Sequence, residues 1–220
     1  MILGDFGTSY CKFWAPEETA APRIVPTSSL TPEVRVTYAT GHNGKRFGDR
    51  YVNELIALAR GGERLIAEQD YVLLDCGSRD IKFIKCRQGQ LADMGWNAEC
   101  GASMGFTIEL LERYYELDYR QLAVPARTFS VTCGVLGMSH IFDAVVGGTP
   151  VAEAVARFVK GIALNAYRFA GSPARLYLSG GLCDNPLFIG SFPCEVTPLG
   201  RFVLLEGLAE TVRYRGSQVR

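Results

Sequence analysis

The stretch "NAECGASMGFTIELLERYYEL", residues 97–117, sets Cys100 in a run of small residues at the start of an amphipathic segment. A core cysteine packs on a helix or strand face among large neighbours. This one sits where the N–H groups of a helix start converge and little bulk blocks approach. That position suits an anion, a nucleophile or a metal cluster. Two other stretches share one pattern: "DFGTSYCK" (5–12) and "DCGSRDIK" (75–82) both spell Asp-x-Gly-[Ser/Thr]-x-x-x-Lys. Each follows a short apolar run and leads into another, which predicts a β-hairpin with a tight glycine turn. N–H groups and hydroxyls in such a turn can hold phosphate oxygens. The aspartate that ends the first strand, Asp5 or Asp75, can hold Mg2+ through water. Two copies suggest two similar lobes facing one nucleotide; two hairpins that match by chance are the plain alternative. A fourth stretch, "RLYLSGG", reads as a strand running into Gly180 and Gly181. Bare backbone there lets a flat ligand such as an adenine approach, and an ordinary strand–helix turn is the alternative.

The elements that must position these residues are legible in outline. A strand is expected over 35–40, a loop over 41–46 and a helix over 49–61. The segment "QLADMGW" continues the second hairpin, and a further strand is expected over 127–133. A short helix is expected over 138–145. The clearest helix runs over 150–170, with Thr149 as its cap, Pro150 at its first position and Gly171 ending it. Val151, Val155, Phe158, Val159, Ile162, Ala166 and Phe169 form its apolar face. After Cys100, Leu110, Leu111, Tyr114 and Leu117 are expected on one helix face, with Glu109 and Arg113 paired at i,i+4. A last helix begins near Phe202, and the proline-rich stretch 15–32 reads as loop with one short strand.

The chain has 220 residues, of which 48% are hydrophobic, enough for one large domain or two lobes. Lys+Arg and Asp+Glu are equal at 23 each, with no basic stripe, which argues against nucleic acid as a partner. Asp5 interrupts the first residues before an apolar leader can form, and no run reaches the roughly 18–20 apolar residues of a membrane span. A cytoplasmic protein is expected. Its seven cysteines are an odd set without a Cys-x-x-Cys pair, and it has only two histidines, His42 and His140. Reduced thiols serving a metal or redox site are expected in place of disulfides.

Together the motifs resemble the actin/hexokinase/Hsp70-type ATPases and, more closely, the ATPase activators of 2-hydroxyacyl-CoA dehydratases and the related benzoyl-CoA reductase subunits. The order here is "DFGTSYCK", "ATGHNGKR", "DCGSRDIK", "NAECGASMG", "TCGVLGMS" and "SGGLCDNP", and it covers nearly the whole chain. The resemblance implies a duplicated, actin-like (ribonuclease H-like) two-lobed α/β fold. Asp5, Gly7, Thr8, Ser9 and Lys12 match the first phosphate loop; Asp75, Gly77, Ser78, Arg79 and Asp80 occupy the second. Gly180 and Gly181 match the adenosine site, and Glu54 matches an acidic residue of the first lobe. Asp5, Asp75, Asp80 and Glu54 are thereby the candidate catalytic residues, acting on ATP or ADP with Mg2+. Cys100 and Cys133 match two cluster-ligating cysteines. A 4Fe–4S cluster needs four thiolates, so a homodimer would share one cluster on its two-fold axis. The implied function is ATP-driven transfer of a low-potential electron to an iron–sulfur dehydratase or reductase, with a ferredoxin or flavodoxin as donor.

The chain departs from that pattern in four places. The first lobe is shortened between its hairpin and "ATGHNGKR". Ser78 and Arg79 stand where the family has Gly and Gln, and Arg79 can contact a phosphate instead. Ser103, Met104, Met138 and His140 are further replacements near the two cysteines; His140 reads as a solvated histidine. The last helix lacks the family's small-residue pattern. The expected organisation is a first lobe over 1–70, a second over 71–200 with the cluster cysteines, and a terminal helix over 201–220 packed back on the first. Two alternatives stand beside the activator: a cluster-carrying nucleotide-binding regulator with weak or no hydrolysis, and a cluster-free small-molecule kinase with Asp80 as its base. Cys11, Cys76, Cys86, Cys183 and Cys194 read as structural or incidental thiols.

Overall fold

The computed structural model describes residues 1–98 and 104–217. In chain order it contains β1 (Leu3–Phe6), β2 (Tyr10–Trp14), β3 (Arg23–Pro26), β4 (Val36–Thr40), α1 (Gly44–Phe47), β5 (Gly48–Tyr51) and α2 (Glu54–Leu65). There follow β6 (Tyr71–Cys76), β7 (Ile81–Arg87), β8 (Gln90–Asn97), α3 (Met104–Tyr114), α4 (Gly134–Val146) and α5 (Val151–Phe169). The chain closes with β9 (Arg175–Ser179), α6 (Pro186–Gly190), β10 (Glu195–Gly200) and α7 (Val203–Ser217). It divides into two units: Met1–Asp70 with Ile84–Met94 and Arg201–Arg220, and Tyr71–Phe83 with Gly95–Gly200.

The two sheets repeat one topology. The first has the order β3-β2-β1-β4-β5 and the second the order β8-β7-β6-β9-β10. In each, the aspartate-bearing strand is central, flanked by its hairpin mate and by a parallel strand. Such a strand must be apolar on both faces. β1 and β6 are accordingly buried along their whole length. The fold is thus a duplicated α/β architecture, as the sequence leads one to expect.

In the first unit, Phe6 stacks on Phe47 at 4.8 Å and meets Phe13 edge-on at 5.4 Å. Asn53 starts α2 by accepting a hydrogen bond from Leu55 N at 2.9 Å. Residues 49–51 are therefore strand and not helix, because β5 pairs with β4 before the cap begins. The expected loop over 41–46 closes into α1. The terminal helix carries a small residue where it crosses α2: a Cβ at Gly207 would lie 1.8 Å from Ala57 O, and one at Gly61 of α2 would lie 2.2 Å from Val203 O. Arg64 joins the same two helices through a 2.6 Å ion pair to Glu206.

In the second unit, α5 buries Val155, Phe158, Val159, Ile162 and Ala166 in the core, and Phe169 meets Phe83 edge-on. Pro150, not Thr149, is its N-cap, and no side chain caps it. Residues 127–133 form no strand. Their backbone is bonded to α5: Phe129 N donates to Arg157 O, and Asn165 Nδ2 donates to Val131 O. On α3 the expected single apolar face splits, since Leu111 is buried while Leu110 and Tyr114 are exposed; Leu117 lies beyond the helix. The Glu109–Arg113 pair forms at 2.7 Å. Among the described residues no helix is long and apolar enough to cross a membrane.

Candidate functional site

Each unit presents a carboxylate–lysine turn on its central strand. In the first, Asp5 is 2% exposed and stands opposite Lys12 in the β1/β2 register; Lys12 Nζ donates to Asp5 Oδ2 at 2.6 Å. A buried carboxylate is tolerable only when paired in this way. Gly7 makes the turn tight, because a Cβ there would meet Tyr10 O at 2.7 Å. Thr8 is exposed and Ser9 half-buried at its tip. Thr27 braces the turn, donating Oγ1 to Gly7 O at 3.1 Å and N to Ser9 O at 2.9 Å. Glu54 lies buried in the first turn of α2, where the helix N-terminus favours its charge.

The second turn is built on the same plan with more partners. Gly77 N donates to Asp80 O at 3.0 Å and closes it. Lys82, 2% exposed, reaches two carboxylates: Asp80 Oδ1 at 2.7 Å and Asp75 Oδ2 at 3.9 Å. Ser179 Oγ donates to Asp75 Oδ1 at 2.6 Å. Trp96 Nε1 donates to Asp80 Oδ2 at 2.8 Å, and its ring lies 5.4 Å from Lys82 Nζ. Ser78 and Arg79 are half-buried between these groups in the chain.

The repeat extends beyond the two turns into the parallel strands beside them. Asp5 registers with Thr40 of β4, and Asp75 with Ser179 of β9. A glycine in the left-handed region follows each hydroxyl: Gly41 and Gly180 both have φ of +88°. A Cβ at Gly41 would lie 2.6 Å from the backbone of Phe6, and one at Gly180 would lie 2.4 Å from that of Cys76. Only glycine allows that conformation and that approach. Beside Gly181 the space is open, with nothing within 4 Å of a Cβ built there. Thr40 Oγ1 differs from its counterpart in being buried without a hydrogen-bond partner. Within the first unit, an orphaned hydroxyl next to a buried carboxylate and a tight glycine turn fit a bound phosphate with its cation. Thr40, Ser179 and Trp96 were not singled out from the sequence. The shared hydroxyl–glycine order in "ATG" (39–41) and "LSG" (178–180) is the signal that could have found the first two.

Cys133 is the N-cap of α4, half-buried, with its carbonyl accepting from Gly137 N at 2.8 Å. α4 begins at Gly134, earlier than expected, and His140 lies exposed on it with its ring 5.7 Å from Phe129. Cys100 lies outside the described residues. Among the other thiols, burial pushes Cys76 well above its ordinary range and raises Cys11 and Cys194 as well.

No family model matches the chain. It is 23% identical, over 165 residues, to the (R)-2-hydroxyglutaryl-CoA dehydratase activating ATPase of Acidaminococcus fermentans. That match covers 70% of this chain and 63% of the relative's length. The activator of the 2-hydroxyisocaproyl-CoA dehydratase from Clostridium difficile, solved with bound ADPNP, superposes with a TM-score of 0.77 at 18% identity; 99% of this chain and 96% of that one are covered. Component A of the Acidaminococcus fermentans dehydratase gives the same TM-score and identity, with 96% of each chain covered. The fold is that of the dehydratase activators. The resemblance thus holds for the fold over nearly the whole chain, and the duplicated sheet is the frame that carries both carboxylate–lysine turns.

Proposed function

We propose that this chain is an ATP-dependent activator of an iron–sulfur dehydratase- or reductase-like enzyme, working as a cytoplasmic homodimer. The observation that carries this reading is the repeated module: a buried aspartate paired to lysine, beside a strand that ends in hydroxyl–glycine. In it Gly7, Thr8, Ser9 and Lys12, with Gly77, Ser78 and Arg79, take the phosphates. Asp5 and Asp75 orient the hydrated Mg2+, and Gly180 and Gly181 take the adenosine. Glu54 adds negative charge for the attacking water. Asp80 has both carboxylate oxygens engaged by Lys82 and Trp96, which favours an electrostatic role over that of a kinase base.

Cys100 and Cys133 of each copy would hold a shared 4Fe–4S cluster. Among the described residues no three His, Cys, Asp or Glu side chains converge as a metal site, and a shared cluster requires only two thiolates from each copy. When bound, it supplies a one-electron couple of low potential, fed by a ferredoxin or flavodoxin. At the start of α4 the helix dipole favours the anionic form of a ligated group. Val135, Leu136, Phe142 and Val146 of α4 are all more than half exposed, as are Phe106 and Tyr114 of α3, which touches α4. Such a surface next to Cys133 suits burial against a second copy.

The test is iron, acid-labile sulfide and solution mass of anaerobically purified protein, together with MgATP turnover. About four irons per dimer, the stoichiometry of one bridging cluster, with ATP hydrolysis is the expected result. An iron-free monomer that resists reconstitution would sink the electron-transfer reading. Iron without turnover would leave the regulator.

A further inference from the structure

Trp96 sits at the end of β8, outside every motif of the chain, yet it touches the second turn at its most charged point. Its indole N–H is 2.8 Å from Asp80 Oδ2, while Lys82 holds the other oxygen at 2.7 Å. An indole can only donate, so this bond requires Asp80 to present a lone pair to it. The ring also lies under the Lys82 ammonium, a contact that favours keeping that charge in place. At 39% exposure the ring is open to solvent on one side. The start of α3 holds the other side of the same turn. Phe106 N donates to Ser78 O at 2.9 Å, and a Cβ at Gly105 would lie 2.3 Å from Gly77 O. The turn 77–80 is therefore clasped from both β8 and α3, and from β8 the Trp96 side chain grips the Asp80 carboxylate.

We propose that Trp96 is a positioning residue: it fixes the orientation in which Asp80 faces the magnesium–nucleotide, and thereby reports the state of the turn at the end of β8. This rests on the nucleotide reading given above. Rotation of Asp80 toward a cation would lengthen or break the indole bond, so occupancy of the turn and the environment of Trp96 are linked. The charge on Asp80 is shared among Lys82, Trp96 and the incoming cation, and loss of the indole donor releases Oδ2 while Lys82 keeps Oδ1.

The chain has two tryptophans, so a Trp14→Phe background leaves Trp96 as the sole indole emitter. MgATP binding to wild type is first measured by calorimetry. In the background protein, saturating MgATP is expected to change Trp96 emission, and Asp80→Asn to abolish the change. Trp96→Phe, which keeps a ring but loses the donor, is expected to lower kcat about ten-fold with KM for MgATP within about two-fold, the size of one lost hydrogen bond to a charged group. Binding of MgATP with unmoved emission overturns the proposal, as does an unchanged kcat in Trp96→Phe. Absence of MgATP binding to wild type overturns the nucleotide reading, and this inference with it. Where wild type binds but does not turn over, emission alone decides.

Discussion

Lys82 is the residue on which the second turn depends. It is almost wholly buried and is shared by Asp75 and Asp80. Its replacement by methionine keeps the volume but strands two carboxylates. Removal of one partner from a buried pair typically costs about 3–5 kcal/mol, so Lys82→Met is expected to lower the unfolding free energy, read from urea titration, by an amount in that range. Asp5→Asn, by contrast, is expected to weaken MgATP binding while leaving iron content unchanged; calorimetry and iron analysis of the one variant separate the two. Loss of iron there would argue against separable sites. Cys133→Ala is expected to lose the cluster, and full iron in that variant would refute the ligand assignment. The Cys76 thiol gives a pH signature. Burial raises its folded value well above the ordinary 9.0, so its stabilising effect is complete below about pH 9 and is lost as pH rises from there toward the folded value. Urea midpoints at pH 7 and pH 10 should diverge in wild type, and diverge less in Cys76→Ala.

At the scale of elements, the crossing of α2 and α7 is set by Gly207 and Gly61. Gly207→Ala would drive a methyl group into Ala57 O. Overpacking of this kind costs about 1–3 kcal/mol, so a fall in thermal midpoint is expected, while a midpoint equal to wild type would show that the helices slide freely. This crossing also shows where the sequence was opaque. The period of "FVLLEGLAETVRY" announced a helix, but one glycine among larger residues gave no hint that a neighbouring backbone would rest on it. The hairpins were legible because the Gly-[Ser/Thr] turns that follow each Asp-x act locally. The 127–133 segment was not, because an alternating run rich in β-branched residues reads the same whether its backbone is bonded to a sheet or to the side of a helix. α3 misled for a related reason: periodicity gives an apolar stripe, and Leu110 and Tyr114 belong to a second stripe that faces outward. Thr40 and Ser179 became visible only through register, which pairs residues far apart in the chain.

For the whole molecule, the exposed stripes of α3 and α4 lead to a prediction about assembly. Phe142→Glu is expected to convert the proposed dimer to a monomer in sedimentation and to lose iron with it, since two thiolates cannot satisfy a cluster alone. A monomer that kept its iron would move the cluster off the shared axis. The first unit is drawn from three separated lengths of chain, and α7, its last helix, rests on α2. Domains emerging from a ribosome generally fold in order from the N-terminus. Here that order is interrupted: β1 and β2 are synthesised before the second unit, yet α7, which covers α2, is synthesised after it. Gly61 and its neighbours therefore cannot be covered until α7 has followed the residues of the second unit out of the ribosome.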